Sequence, residues 1–219
     1  MRKIVLGFAA AALVLSCKKV PKGSNYGVIP LEEGVERYDS YETRGGRAHG
    51  TDSAGVHNNA SRTAVEVDVN GTKLKAYQGG LEQTMVGFLS AGSYTNAADD
   101  NALKDRWYDF DNVNFKMGST NQLEAGSAEQ LSNLAAILKA YPDAKIKIGG
   151  YTDKTGDEAV NKSISQGRAD FIKSELTKLG VGAQVITAEG YGSQYATVPA
   201  EASDAERAVD RKMAVRFTK

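Results

Sequence analysis

The chain has 219 residues, enough for one sizeable domain and a small extension. Its apolar content of 41% is ordinary for a protein with a packed core, and 27 basic side chains balance 27 acidic ones. A formal net charge of zero, without any long basic run, argues against a nucleic-acid-binding protein.

Residues 1–16 have the pattern of a secretory signal peptide. A basic start, Arg2-Lys3, precedes the apolar run 4–16, which is too short to span a bilayer. The run ends at Cys17, the only cysteine, which therefore has no internal disulfide partner. The residues before it resemble a bacterial lipobox, although Leu15 is bulkier than usual at its position. We predict cleavage before Cys17 and lipidation of Cys17; a core or reactive thiol is the alternative.

Residues 17–62 are predicted to form a largely disordered tether. From residue 41 onward this segment has almost no large apolar side chains, so it buries too little surface to become ordered. Both histidines, His49 and His57, lie here without the spacing of metal ligands, and we predict neither a metal site nor a cofactor. The short apolar segment 28–31 docks either on the domain or on a partner protein, and the sequence leaves both possibilities open.

Residues 63–105 are predicted to form a β-hairpin followed by a short helix. Valines alternate with acidic residues up to Asn70-Gly71, which is the strongest short-range signal for a hairpin turn. After Gly80, apolar side chains recur at helical spacing, at Leu81, Met85, Phe88 and Leu89. Such a stripe is typical of a helix that faces a core. We expect this extension to cover an edge or a face of the main sheet.

Residues 106–219 are predicted to form an α+β domain. Strands are expected at 107–115, 145–149, 185–189 and 213–217. One helix is expected with Ser127 as its cap, a second after Asp157 and a short one around 205–209. This order gives a two-layer α/β sandwich in which a mixed βαβαββ sheet carries its helices on one face.

One turn and the helix after it hold the candidate chemistry. The turn 149–156 carries a single carboxylate, Asp153, which we expect to be exposed. Asp157 is the predicted N-cap of the following helix, and Gly180 is its predicted C-terminal glycine. In that helix Arg168 interrupts an apolar stripe, four residues from both Ile164 and Ile172.

Three explanations for Arg168 are open, because an unpaired buried charge is expensive. Its guanidinium pairs with an acid such as Asp153, Asp157 or Glu175; or it reaches past its neighbours into water; or it lies at an open edge beside Asp153 and binds a ligand.

A family resemblance bears on this choice. The motif Gly150-Tyr151-Thr152-Asp153-Lys154-Thr155-Gly156 is followed at fixed offsets by Asn161, Ile164-Ser165 and Arg168-Ala169. Together with the upstream segment 113–123 and the downstream segments 190–192 and 210–212, it resembles the OmpA-like peptidoglycan-binding domain. The resemblance covers about residues 106–219.

The resemblance implies a binding site for the diaminopimelate of the peptidoglycan stem peptide, with direct contacts from Asp153 and Arg168. Asn161 and Arg211 would be supporting contacts, and Thr152 a neighbour through its backbone or hydroxyl. Asp210 stands where asparagine is commoner in the family, and pairing between Asp210 and Arg211 would alter the availability of that arginine.

The resemblance also implies a non-catalytic lipoprotein of the bacterial outer membrane, anchored by lipid on Cys17, whose periplasmic domain binds peptidoglycan. The alternative is a lipoprotein adhesin or envelope assembly factor that acts through a protein partner. A glycosidase that uses Asp153 and Asp157 is a further alternative, but no nucleophile–base set supports it.

Overall fold

The computed structural model describes residues 51–52, 56–57 and 62–219. The predicted signal peptide, Cys17 and most of the predicted tether lie outside the described residues. Strand β1 (Thr51–Asp52) pairs antiparallel with β2 (Val56–His57). Within the described ranges, no helix is both long enough and apolar enough to cross a membrane.

The predicted hairpin is present as β3 (Ala64–Val69) and β4 (Thr72–Tyr77), which pair antiparallel. Asn70 and Gly71 connect them with φ angles of 51° and 85°, both positive, as a two-residue type I′ turn requires. Helix α1 (Leu81–Ser90), the short helix α2 (Ser93–Asn96) and a 3₁₀ turn (Asp100–Ala102) follow.

The main sheet has four strands: β5 (Trp107–Asp109), β6 (Lys145–Gly150), β7 (Val185–Gly190) and β8 (Met213–Thr218). Their spatial order is β5-β8-β6-β7, with β6 and β7 parallel and the other neighbours antiparallel. Two helices, α3 (Ser127–Ala140) and α4 (Glu158–Lys178), bury one stripe each against this sheet, and α5 (Asp204–Arg207) precedes β8. The predicted two-layer α+β sandwich is confirmed.

The core lies between the sheet and its helices. Alternate residues of β6 and β8, such as Ile148 and Val215, face the helices and are fully buried. The extension belongs to the same hydrophobic cluster: the Phe88 ring of α1 stacks on the Phe217 ring of β8, with centroids 5.4 Å apart. The helix of the extension therefore covers the sheet on the side of β5, as expected.

Two local predictions are corrected. The strand expected at 107–115 ends at Asp109, because the buried carboxylate of Asp111 accepts a hydrogen bond from the Leu81 amide (2.6 Å) and draws the chain away from the sheet. The cap of α3 is Gly126, with φ 87°, rather than Ser127. The Ser127 hydroxyl is already bonded to the backbone of Asn114 and lies inside the helix.

Candidate binding site

Two glycines bring the candidate turn and its helix together. A Cβ atom on Gly150 would lie 2.4 Å from the carbonyl oxygen of Ser165, and one on Gly190 would lie 2.1 Å from the amide of Gln166. Only glycine therefore allows α4 to pack this closely on the ends of β6 and β7. This contact fixes the position of the turn 151–157 relative to the middle of α4.

Asp153 is buried, at 5% exposure, and the prediction of an exposed carboxylate is wrong. The turn folds over it: the Thr155 amide donates to Oδ1 at 2.9 Å, and the Thr155 hydroxyl donates to the same oxygen. Arg211 Nη1 donates to Oδ2 at 2.8 Å, and Arg207 Nη1 lies 3.7 Å from that oxygen. Burial raises the pKa of Asp153, but the hydrogen bonds from Thr155 and Arg211 outweigh it, so the pKa lies below its usual value.

Asn161 and Thr152 support this turn rather than line the cleft beside it. The Asn161 side-chain amide donates to the carbonyl oxygen of Thr155 at 2.9 Å, so the first turn of α4 holds the loop in shape. The Thr152 amide donates to the carbonyl oxygen of Gly192 at 3.0 Å, and its buried hydroxyl has no hydrogen-bond partner among residues 62–219.

The C-terminal segment 204–211 adds a group of charges beside Asp153. Arg211 donates to both carboxylate oxygens of Asp204, at 3.1 and 3.2 Å, as well as to Asp153. Arg207 lies 3.5 Å from Asp204, and its buried Nε has no hydrogen-bond partner in the described part of the chain.

Asp210 does not pair with Arg211. Its carboxylate accepts from the amides of Thr197 and Val198 and from the Thr197 hydroxyl, at 2.9 to 3.1 Å. The possibility that Asp210 reduces the availability of Arg211 is therefore not realised.

Arg168 has no carboxylate partner among the residues that the structure describes. Its Nε donates to the carbonyl oxygen of Ser119 at 3.0 Å, and its guanidinium lies 5.2 Å from the centroid of the Phe115 ring. Burial lowers the pKa of Arg168, and the nearby charge of Arg211 lowers it further. Of the three explanations, pairing with Asp153, Asp157 or Glu175 is therefore wrong.

Asp153, Arg168 and Arg211 line one cleft of about 280 Å³, which we call the Arg168 cavity. Four basic side chains and two acidic ones face it, which leaves an excess of two positive charges: Arg168, Arg207, Arg211, Lys212, Asp153 and Asp204. Val113, Phe115 and Met117 add an apolar wall, and Met117 is 76% exposed. The cleft suits a ligand that carries several carboxylates and an apolar stem.

Several lining residues were not among the predicted site residues, and three of them are Thr155, Asp204 and Arg207. Thr155 lies within the motif, two residues after Asp153, where a hydroxyl commonly closes a turn onto a carboxylate. A capping box between Ser203 and Glu206 starts α5 and turns Asp204 and Arg207 toward the cleft. The spacing of Ser203 and Glu206 was a usable signal for that helix.

Comparison with known proteins identifies the domain around this cleft. The matching family model is that of the OmpA family, over residues 114–211. This match covers less than half of the chain's 219 residues. The matched span includes all five predicted site residues: Thr152, Asp153, Asn161, Arg168 and Arg211. Because the OmpA family consists of binding and structural domains, this domain is non-enzymatic.

The matches to similar proteins cover only part of those proteins' own length. The chain is 41% identical over 81 residues to the probable lipoprotein YiaD of Escherichia coli K12. This match covers 37% of this chain and 36% of YiaD. It is 43% identical over 65 residues to the peptidoglycan-binding protein ArfA of Mycobacterium bovis, and this match covers 30% of this chain and 20% of ArfA. The crystal structure of the peptidoglycan-associated lipoprotein from Burkholderia pseudomallei matches with 29% identity and a TM-score of 0.44, over 48% of this chain and 88% of that one.

Proposed function

We propose that this protein anchors the bacterial outer membrane to the cell wall by binding the peptidoglycan stem peptide non-covalently in the Arg168 cavity. The observation that carries the proposal is the position of Arg168. A half-buried guanidinium in an apolar stripe, without an acid partner in residues 62–219, opens onto the same cleft as Asp153. A carboxylate ligand would supply the missing partner in a bidentate arrangement.

The stem residue that fits this cleft is diaminopimelate, which has an amino-acid head at each end of an apolar chain. One head stays free when the residue is built into a stem peptide, and it carries an ammonium and a carboxylate. Its carboxylate would pair with Arg168. Its ammonium would donate to the carboxylate of Asp153. That carboxylate has about four lone-pair sites, and hydrogen bonds from Thr155 and Arg211 use three of them, which leaves one for the ligand.

The other lining charges fit the remainder of a stem peptide. Arg207 and Lys212 would face further carboxylates of the ligand, which agrees with the excess of two positive charges around the cleft. Asp204, whose side chain is 61% exposed, is a second acceptor for the ammonium. Asn161 and Thr152 would act by holding the turn that carries Asp153.

Relatives support the proposal through their names. ArfA is named as a peptidoglycan-binding protein, and YiaD as a probable lipoprotein. With the predicted signal peptide and lipidation of Cys17, these names favour a lipid-anchored protein of the outer membrane whose domain lies in the periplasm.

A sedimentation experiment tests the binding proposal. The full chain in mild detergent is mixed with sacculi that contain diaminopimelate, beside Asp153→Asn and Arg168→Met variants whose folding is checked by circular dichroism. We expect wild type in the pellet and both variants in the supernatant. Free diaminopimelate should compete, and lysine blocked at its α-amino and α-carboxyl groups, which offers an ammonium but no carboxylate, should not.

Two matched variants serve as controls. Asp157→Asn changes an acid in the same turn but keeps the cap of α4, because asparagine caps helices as well as aspartate does. Lys178→Met removes an exposed cation from the same helix as Arg168. Both should sediment with the sacculi like wild type. If the folded wild type stays in the supernatant, the proposed function is wrong.

A further inference from the structure

A second cleft, of about 770 Å³, lies on the sheet face that points away from the helices, and we call it the aromatic cavity. On β5 and β8, Trp107 and Ala214 line it, whereas their neighbours Tyr108 and Val215 face the core, as strand alternation requires. Gly149 makes room for it. A Cβ atom there would lie 2.9 Å from the Tyr151 hydroxyl and 3.0 Å from the Trp107 ring.

Four aromatic rings form one wall of the aromatic cavity. Tyr151 and Tyr191 stack with centroids 5.2 Å apart, and Trp107 meets both of them edge-on at 6.3 and 6.0 Å. Tyr195 is 58% exposed and lies edge-on to Tyr191, at 5.4 Å. Burial raises the pKa of Tyr191 to about 12, and its hydroxyl donates a hydrogen bond to Glu189 at 3.1 Å.

The charges around the aromatic cavity cancel. Three basic and three acidic side chains line it: Lys104, Lys212, Arg216, Asp105, Asp109 and Asp210. Lys212 is paired with Asp109 at 2.8 Å, and Arg216 is held by both oxygens of Asp100 at 2.8 and 3.0 Å. This balance disfavours nucleic acids and other strongly anionic polymers. It suits a neutral ligand that has both apolar faces and many hydroxyl groups.

The two cavities adjoin each other. Lys212 lines both of them. In the motif turn, Tyr151 lines the aromatic cavity and Asp153, two residues later, lines the Arg168 cavity. A ligand that branches could therefore place one arm in each cavity.

We propose that the aromatic cavity binds the glycan strand to which the stem peptide is attached. This inference rests on the proposed function of the Arg168 cavity. The C–H faces of N-acetylated sugars pack against aromatic rings, while their hydroxyl and acetamido groups exchange hydrogen bonds with polar side chains. Because each stem peptide branches from a sugar, a bound stem peptide brings its glycan strand close to the Arg168 cavity.

Asp210 is a positioning residue for this surface. By accepting hydrogen bonds from Thr197 and Val198, it holds the loop that carries Tyr195. Asp210 also lines the aromatic cavity itself.

Two ligands separate the sugar contribution from the peptide contribution. Affinity is measured by calorimetry for the full chain with the diaminopimelate tetrapeptide alone and with the same tetrapeptide on its disaccharide. Wild type should bind the disaccharide form about three- to tenfold more tightly, the value of one aromatic contact. Tyr195→Ala should remove that advantage and leave binding of the free tetrapeptide unchanged, whereas Tyr195→Phe should keep it. Val160→Ala, which is 54% exposed and lines neither cavity, is the matched control.

Failure of this inference is distinguishable from failure of the proposed function. Equal affinity of wild type for both ligands, or a sugar advantage that survives in Tyr195→Ala, overturns the glycan site and leaves the peptide site standing. If wild type binds neither ligand, glycan strands stripped of their peptides decide the matter. If wild type sediments with these strands and Tyr195→Ala does not, the glycan site is supported independently of the peptide site. If wild type does not sediment with them, the glycan site is overturned. A protein crosslinked through Tyr195, with no sugar effect, also overturns it.

Discussion

Replacing Arg168 with methionine should abolish wall binding while leaving the domain as stable as before. The substitution removes a hydrogen bond to Ser119 from a charged donor, a loss of about 1.5 to 3 kcal/mol, and a contact with Phe115 of about 0.5 to 1 kcal/mol. Against this, it removes the cost of burying a guanidinium without an acid, which is several kcal/mol. It also removes repulsion from Arg211.

These opposing contributions are of similar size. Methionine also fills the space of the arginine stem within the apolar stripe of α4, since it is unbranched and adapts to irregular gaps. We therefore expect the unfolding free energy from urea denaturation to stay within about 1 kcal/mol of wild type or to rise. Affinity for sacculi should fall at least about 30-fold, because losing one partner of a desolvated charge pair costs 2 kcal/mol or more.

The unfolding free energy and the sacculus affinity of Arg168→Met must both be measured. A loss of more than about 3 kcal/mol in stability would show that Arg168 is mainly structural, since such losses accompany the breaking of a buried ionic network. Sacculus binding equal to that of Lys178→Met would show instead that Arg168 does not contact the ligand.

Three further predictions concern stability. Because the folded-state pKa of Asp153 is lowered, urea denaturation should show wild type more stable than Asp153→Asn at pH 7. This difference in stability should shrink as the pH falls below about 4. A stability difference that does not depend on pH would contradict the prediction. Burial raises the pKa of Glu82, so urea denaturation should show Glu82→Gln more stable than wild type at pH 7. This gain should vanish below about pH 4, where the wild-type side chain is protonated in both states. In thermal unfolding, Gly190→Ala should lower the unfolding free energy by about 3 kcal/mol or more, because its Cβ would clash with Gln166. Gly87→Ala, on the exposed side of α1 with no atom nearby, should raise the unfolding free energy by about 0.5 to 1 kcal/mol. Equal effects of the two substitutions would refute the close packing of α4 on the sheet.

The sequence predicted the sheet, its helices and the hairpin because local signals and burial agree in these elements. Asn70 and Gly71 tolerate the positive φ angles that a two-residue hairpin turn needs, so they locate that turn. Asp157 and Gly180 mark the beginning and the end of α4. It failed where side chains override a strand pattern, as at Asp111, whose carboxylate bonds to Leu81 across 30 residues. No local pattern reveals a hydrogen bond over that separation.

Within the candidate site, three of the five predicted residues line the cleft, Asp153, Arg168 and Arg211, but the sequence did not indicate their partners. Asp153 and Arg168 share a cleft as expected, yet Asp153 is buried because Thr155 and Arg211 close over it. Arg211 pairs with Asp153 and Asp204 rather than with its neighbour Asp210. Pairings of this kind depend on how two loops meet in space, which residue spacing does not encode.

The division of charge between the two cavities follows from a short stretch of chain. Arg211 lines the Arg168 cavity, and Asp210 lines the aromatic cavity, where it brings the acidic side chains to three against three basic ones. An asparagine at position 210 would leave the aromatic cavity with one excess positive charge and the Thr197 loop with a weaker acceptor. The carboxylate therefore keeps the aromatic cavity neutral while the adjoining cleft stays basic, which is the difference that the proposed sugar site and the proposed peptide site require.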